Sequence, residues 1–98
     1  MAPEVLENDS YSEKADVYSY GIVLWEILAR EPPFASYTPF QIISKVVQDH
    51  ERPPLSKIAE DCPRELIVIM RACWEQNPQR RPRFSDVIQG LNLVKPTN

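Results

Sequence analysis

Read along its length, the chain alternates between stretches whose apolar residues recur three and four apart and short polar stretches broken by proline. Four stretches carry the helical period, and none shows the sustained apolar/polar alternation of a half-buried strand. The pattern predicts an all-α fold. The first helix is expected from about residue 12–14 to about Arg30, with Val17, Tyr18, Tyr20, Ile22, Val23, Leu24, Trp25, Ile27 and Leu28 on nearly every side of it. A helix that is apolar all round belongs at the centre of a fold. Pro32 and Pro33 end it, because proline lacks the ladder donor and clashes with the preceding turn.

The stretch "TPFQ" predicts the second helix, with Thr38 as N-cap, Pro39 at the first helical position and Gln41 completing a capping box. This helix is expected to end near His50. A loop with Pro53 and Pro54 follows, then one weak turn at Leu55 to Ala59. The third helix starts at Pro63 and carries Leu66, Ile67, Ile69, Met70, Cys73 and Trp74 as a stripe that needs a core to face. It stops before "NPQRRP". The fourth runs from about Phe84 to Val94. One domain is expected over residues 1–95, with a loose tail at 96–98.

Composition narrows the function classes. Ninety-eight residues make one small domain, and 43% hydrophobic with 26% charged residues is ordinary for a globular chain. A net charge of -3 argues against nucleic acid as a partner, and Arg80, Arg81 and Arg83 form too short a cluster to track phosphates. The apolar run from Ile22 to Leu28 is interrupted by Glu26 and is too short to span a bilayer. The expectation is an intracellular, cytoplasmic protein with no membrane partner. Cys62, Cys73 and the lone His50 are too few for a zinc site, and an intracellular setting disfavours a disulfide. The triplet Asn8-Asp9-Ser10 reads as turn chemistry rather than as a glycosylation acceptor. Tyr11, Ser12 and Tyr37 offer hydroxyls for modification, as any exposed hydroxyl does.

The order of short signatures is more specific. "APE" is followed by "DVYSYG" opening an apolar helix that ends in "LWEIL", then by "PF", then by "CPRELIVIMRACWEQNPQRRPRF". Together they resemble the C-terminal lobe of a protein kinase, over almost the whole chain. The Trp25-Glu26 and Cys73-Trp74 pairs and the "RRPRF" ending are most similar to the tyrosine-kinase and tyrosine-kinase-like groups, the Raf-like and mixed-lineage kinases among them. The resemblance implies a helical kinase C-lobe of about four main helices, an incomplete domain. In that family a Met commonly precedes Ala-Pro-Glu, so Met1 also fits as an internal residue; the expectation is a fragment, or a gene truncated at that point.

The resemblance also implies roles for four residues. Glu4 stands as the glutamate of "APE", whose carboxylate pairs inside the lobe with an arginine at the Arg81 position. Read without the resemblance, the two are surface charges that never meet. Removing one member of a buried pair costs about 3–5 kcal/mol, even where the pair itself adds little. Asp16 resembles the aspartate at the start of the central helix, which accepts hydrogen bonds from the catalytic loop; alternatively it is a first-turn carboxylate facing the helix dipole. Gly21 permits close packing, or is a tolerated helix glycine costing about 1 kcal/mol. Tyr18 stands where many kinases have tryptophan. Trp25, Met70 and Trp74 read as core residues. Two departures stand out: Arg83 occupies a position where the family usually has Ser or Thr to cap the last helix, leaving Ser85 or solvent to satisfy its amides, and "REPPF" lacks the glycine the family often places after the central helix.

Absences decide the expected enzymology. Phosphoryl transfer needs a glycine-rich loop, a strand lysine paired to a helix glutamate, a catalytic-loop aspartate with its asparagine and a magnesium-binding Asp-Phe-Gly. The only glycines are Gly21 and Gly90, neither preceded by Phe, and the one histidine sits in "HER". Catalytic, cofactor-binding and metal residues are therefore expected to be absent from this chain, whereas the intact family domain uses ATP and magnesium. The alternative is a small helical interaction module that binds protein substrates or regulators through the second helix. With only three other helices to cover the central one, uncovered apolar surface is expected to favour self-association.

Overall fold

The computed structural model describes residues 2–8 and 12–94. Asp9 and Ser10 of the Asn8-Asp9-Ser10 triplet, Tyr11 and the tail beyond residue 94 lie outside the described residues. The described residues form five α-helices and two 3₁₀ turns: α1 (Pro3–Asn8), α2 (Glu13–Ala29), α3 (Pro39–Val47), a turn at Leu55–Lys57, α4 (Arg64–Cys73), a turn at Pro78–Arg80, and α5 (Phe84–Leu93). The all-α expectation holds: α2 to α5 are the four main helices expected, and the sequence pattern lacks only a short fifth. The missing element, α1, is a single short helix over "PEVLEN". Its first turn closes on the Ala2 carbonyl, which accepts from the amides of Val5 and Leu6 at 3.1 Å. A helix this short does not stand on propensity alone. Ala2 and Val5 are buried in the main core, and α1 packs on α3.

The centre of the fold is α2 crossing α4, where Tyr18, Trp25, Met70 and Trp74 form the main core with Val46 of α3 and Ile58. The indole of Trp25 donates to the Pro54 carbonyl at 2.8 Å, so this buried polar atom is satisfied while the proline-rich loop is held against the helix. A second cluster of Val17, Cys73 and Val87 joins α2 and α4 to α5, with the rings of Tyr20 and Phe84 meeting edge to face at 6.3 Å. Gly21 sits at the crossing. A Cβ built there would lie 2.9 Å from the Cys73 Cβ and 3.1 Å from the Met70 carbonyl oxygen, so the glycine sets the closeness of α2 to α4.

The outer face of α2 is left uncovered, although its apolar residues run all round the helix. Val23 and Ile27, four residues apart, are 50% and 66% exposed. The described helices cover one side of α2, and its apolar sequence continues around the side they leave open.

Helix ends follow local chemistry in three cases and tertiary chemistry in one. At α3 the expected capping box is present: the Gln41 amide donates to Thr38 Oγ1 at 3.2 Å, and the Thr38 amide donates to Gln41 Oε1 at 2.8 Å. That helix ends at Val47 rather than near His50. His50 adopts a left-handed conformation (φ 55°), and the Glu51 amide turns back onto the Lys45 carbonyl. At the end of α2, Arg30 takes the left-handed conformation (φ 60°, ψ 35°) that a glycine commonly supplies, and its amide closes on the Glu26 carbonyl. Arg30→Gly is therefore expected to raise stability by about 1 kcal/mol, the cost of a Cβ in that region less glycine's extra freedom in the unfolded chain. A thermal melt checks this, and an unchanged or lower Tm would contradict it.

At α5 the expectation that Ser85 or solvent serves the first amides is corrected. The Asp86 carboxylate accepts from the Arg83 amide at 3.3 Å, half of a capping box, since a guanidinium has no acceptor to complete it. The Phe84 amide donates to the Glu13 carboxylate, supplied by the first turn of α2. The cap comes from 71 residues away in sequence.

Candidate functional site

The candidate site lies where α1, the start of α2 and the loop between α4 and α5 converge. Its central group is Arg81. Asn77 opens the short turn before it, with Oδ1 accepting from the Gln79 amide at 3.0 Å, and Pro78 begins the turn itself. Pro82 follows, and a residue before proline is pushed out of the α region into extended backbone. Arg81 accordingly has φ -77° and ψ 146°, which carries its side chain out of the turn and into the fold. It is only 2% exposed.

Every direction of its guanidinium is used. Nη1 and Nη2 donate to the two carboxylate oxygens of Glu4 at 2.8 and 2.9 Å, the parallel two-bond geometry that makes arginine–carboxylate pairs strong. Nη1 also donates to the Lys14 carbonyl at 3.0 Å, Nη2 to the Gln76 carbonyl at 3.3 Å and Nε to the Glu75 carbonyl at 2.8 Å. Lys14 returns the contact, its Nζ donating to the Arg81 carbonyl. Glu4, in the first turn of α1, is the less enclosed partner, with a side chain 16% exposed. One side chain thus ties together three segments separated by up to 77 positions in the chain.

Burial pushes the Glu4 carboxyl up, but the hydrogen bond from Arg81, its backbone hydrogen bond and the guanidinium charge outweigh this and hold it below the ordinary carboxylate value. A depressed carboxyl contributes stability that is present above its unfolded value and is lost as the pH falls through its folded value. The native chain should therefore lose stability as the pH drops below about 4.5, the ordinary value for a glutamate. Glu4→Gln, already uncharged, should show a flatter loss over the same range. Thermal melts from pH 7 to pH 3 measure the difference; parallel curves would exclude this role for Glu4.

Tyr18 forms the floor of the site. Its buried ring carries two guanidinium groups, Arg81 at 4.9 Å and Arg52 at 5.0 Å from the ring centroid, close enough for cation–π attraction. Burial raises its phenol above the ordinary value. Sequence reasoning passed over Arg52. Its signal was available as a second Arg-Pro dipeptide, Arg52-Pro53, matching Arg81-Pro82. Arg52 Nε donates to the Trp74 carbonyl at 2.9 Å, Nη1 to the Glu51 carbonyl at 2.9 Å and Nη2 to Gln76 Oε1 at 2.7 Å.

Of the four residues singled out from sequence, Glu4 and Arg81 lie together, while Gly21 sits apart at the α2–α4 crossing. Asp16 is exposed in the first turn of α2 and makes no side-chain hydrogen bond among the described residues. Burial pushes the Cys73 thiol up to about 11, which disfavours its reactive thiolate form. Both cysteines are free. Among the described residues no three His, Cys, Asp or Glu side chains gather to hold a metal ion. No described helix is long and apolar enough to cross a membrane.

Comparison with known proteins places this arrangement. The family described as protein tyrosine and serine/threonine kinase matches residues 1–91. The chain is 44% identical over 95 residues to the dual specificity protein kinase shkD of Dictyostelium discoideum, covering 96% of this chain and 12% of that protein. It is 45% identical over 94 residues to the serine/threonine-protein kinase STY17 of Arabidopsis thaliana, covering 96% of this chain and 16% of that protein. With the serine/threonine/tyrosine-protein kinase HT1 of Arabidopsis thaliana it shares 42% over 91 residues, covering 93% of this chain and 23% of that protein. The chain therefore spans less than a quarter of these relatives' lengths. By its family match, its helical architecture and the order of its motifs, it belongs to the protein kinase family, as part of the helical C-terminal lobe.

Proposed function

We propose that these residues serve ATP-dependent phosphorylation of protein Ser, Thr or Tyr side chains as scaffold, holding the end of an activation segment in place, and that the 98 residues alone transfer no phosphate. The buried two-bond contact between Glu4 and Arg81 carries this reading, because it fixes the "APE" segment to the α4–α5 loop. Catalysis of phosphoryl transfer is almost entirely positioning and electrostatic stabilisation. The sequence contains neither a glycine-rich loop nor an Asp-Phe-Gly to do the positioning. The similarity of "LWEIL" and "RRPRF" supports a place in the tyrosine-kinase-like group, and two free thiols suit a cytoplasmic setting.

A second reading, a binding module for protein partners, is favoured by one observation: Phe40 on α3 is 79% exposed beside the exposed Ile43. One set of assays on the 98-residue chain separates the two. The scaffold reading expects no transfer of labelled phosphate from ATP to a generic protein substrate, no nucleotide binding, and concentration-dependent self-association in sedimentation through the open face at Val23 and Ile27. Phosphate transfer would end the proposal of inactivity. A strictly monomeric chain with a cooperative melt would favour the dedicated module.

A further inference from the structure

Arg52 poses a charge problem that the ion pair at Arg81 does not solve. Its guanidinium is half-buried against the Tyr18 ring and is oriented by three acceptors, all of them neutral: two carbonyls and the Gln76 side-chain oxygen. Among the described residues no carboxylate comes within ion-pair distance of it. Arg81, over the same ring, has its charge matched by Glu4, so the pair of guanidinium groups carries an excess of one positive charge. Arg52 keeps part of its surface in water, and the carboxylate charge acting on it is that of Glu75, which is not in ion-pair contact. An arginine also has five N–H donors, of which Arg52 spends three here, leaving one on each Nη.

A hollow of about 410 Å³ opens beside this group, lined by Arg52 together with His50, Arg71, Trp74, Glu75 and Gln76. Arg71, in the last turn of α4, adds a second cation, and Glu75 offsets one of the two. The lining therefore keeps a net positive charge even with His50 neutral. The carbon side chain of Val68, 59% exposed, provides apolar wall, while Trp74 borders the hollow but is only 6% exposed. The geometry points to a binding site for a phosphate monoester, with the phosphate oxygens on the free N–H groups of Arg52 and on Arg71, and the ester's carbon body against Val68. A planar guanidinium held by its other donors is suited to an oxyanion, since its orientation is set before the ligand arrives. The volume exceeds that of a bare phosphate and leaves space for the group that carries it.

The test is a titration of the 98-residue chain with inorganic phosphate, phenyl phosphate and phenol, each at matched ionic strength, followed through the amide resonances of Arg71, Glu75 and Gln76. Saturable shifts are expected with both phosphates, tighter by about tenfold for the ester, the gain of about 1.4 kcal/mol that apolar contact adds. Phenol should leave the three amides unmoved. Arg71→Glu, at an exposed position that leaves the core intact, should weaken phenyl phosphate at least tenfold, and Glu75→Gln should tighten it. Shifts that sodium chloride reproduces would mean screening alone and would overturn the site, as would equal binding of phenol or indifference to both variants. Saturation by inorganic phosphate with no gain for the ester would overturn the ester's apolar subsite.

Discussion

Glu4→Ala is expected to destabilise the chain by about 3–5 kcal/mol, the cost of leaving a buried charge without its partner. That is a large share of the ~5–15 kcal/mol that holds a domain together. The magnitude follows from asymmetry in the site. Arg81 is 2% exposed and cannot shed its proton, so without Glu4 its charge stays, enclosed by three carbonyls and the Tyr18 ring. Removing the arginine instead leaves Glu4, which is 16% exposed and can be rehydrated or protonated, but it also strips a donor from the carbonyls of Lys14, Glu75 and Gln76. Replacing both charges with apolar residues of similar volume, as in the double variant Glu4→Leu with Arg81→Met, should cost less than the sum of the single losses. Urea unfolding followed by tryptophan fluorescence measures all of these. A loss under about 1 kcal/mol for Glu4→Ala would place the pair among weak surface contacts and refute its enclosure.

Gly21→Ala is the second large effect, and its sign separates two accounts of the same residue. In a helix interior open to solvent, alanine would stabilise by about 1 kcal/mol through propensity. At the α2–α4 crossing the added Cβ meets the Cys73 Cβ at 2.9 Å and the Met70 carbonyl oxygen at 3.1 Å, neither of which is the far end of a flexible side chain. Overpacking a well-filled contact costs about 1–3 kcal/mol, so the net effect is expected to be destabilising. Gly90 supplies the internal control. Its nearest neighbour would be the Cδ1 of Ile69, which can turn aside, so Gly90→Ala should be close to neutral. A stabilised Gly21→Ala chain would show that α2 and α4 do not approach this closely.

The features legible in the sequence are those with local causes. The capping box at Thr38 and Gln41, the proline that opens α3 and the apolar stripe of α4 each need only neighbouring residues to be read. Helix α1 escaped because six residues are too few to display a period, and its stability comes from burial of Ala2 and Val5 and from the pairing of Glu4. The α5 cap was misassigned for a related reason: Glu13 reaches Phe84 only in three dimensions. Composition placed apolar residues all around α2, but which face is covered depends on where the other helices pack, and Val23 and Ile27 fall on the open one. Glu4 and Arg81 were found through the resemblance and not through spacing. Arg52 was missed although it shares the Arg-Pro dipeptide, because a preproline arginine says only that its backbone is extended.

The most direct measurement of the central claim, that the "APE" segment is locked to the α4–α5 loop, is the side-chain ¹⁵N spectrum of Arg81 in the 98-residue chain at neutral pH. A guanidinium gripped by Glu4 and three carbonyls should show separate, slowly exchanging Nη resonances with cross-relaxation to the Tyr18 ring and to α1, and these should collapse in Glu4→Ala. A single averaged signal like that of a free arginine, unchanged by loss of Glu4, would contradict the account.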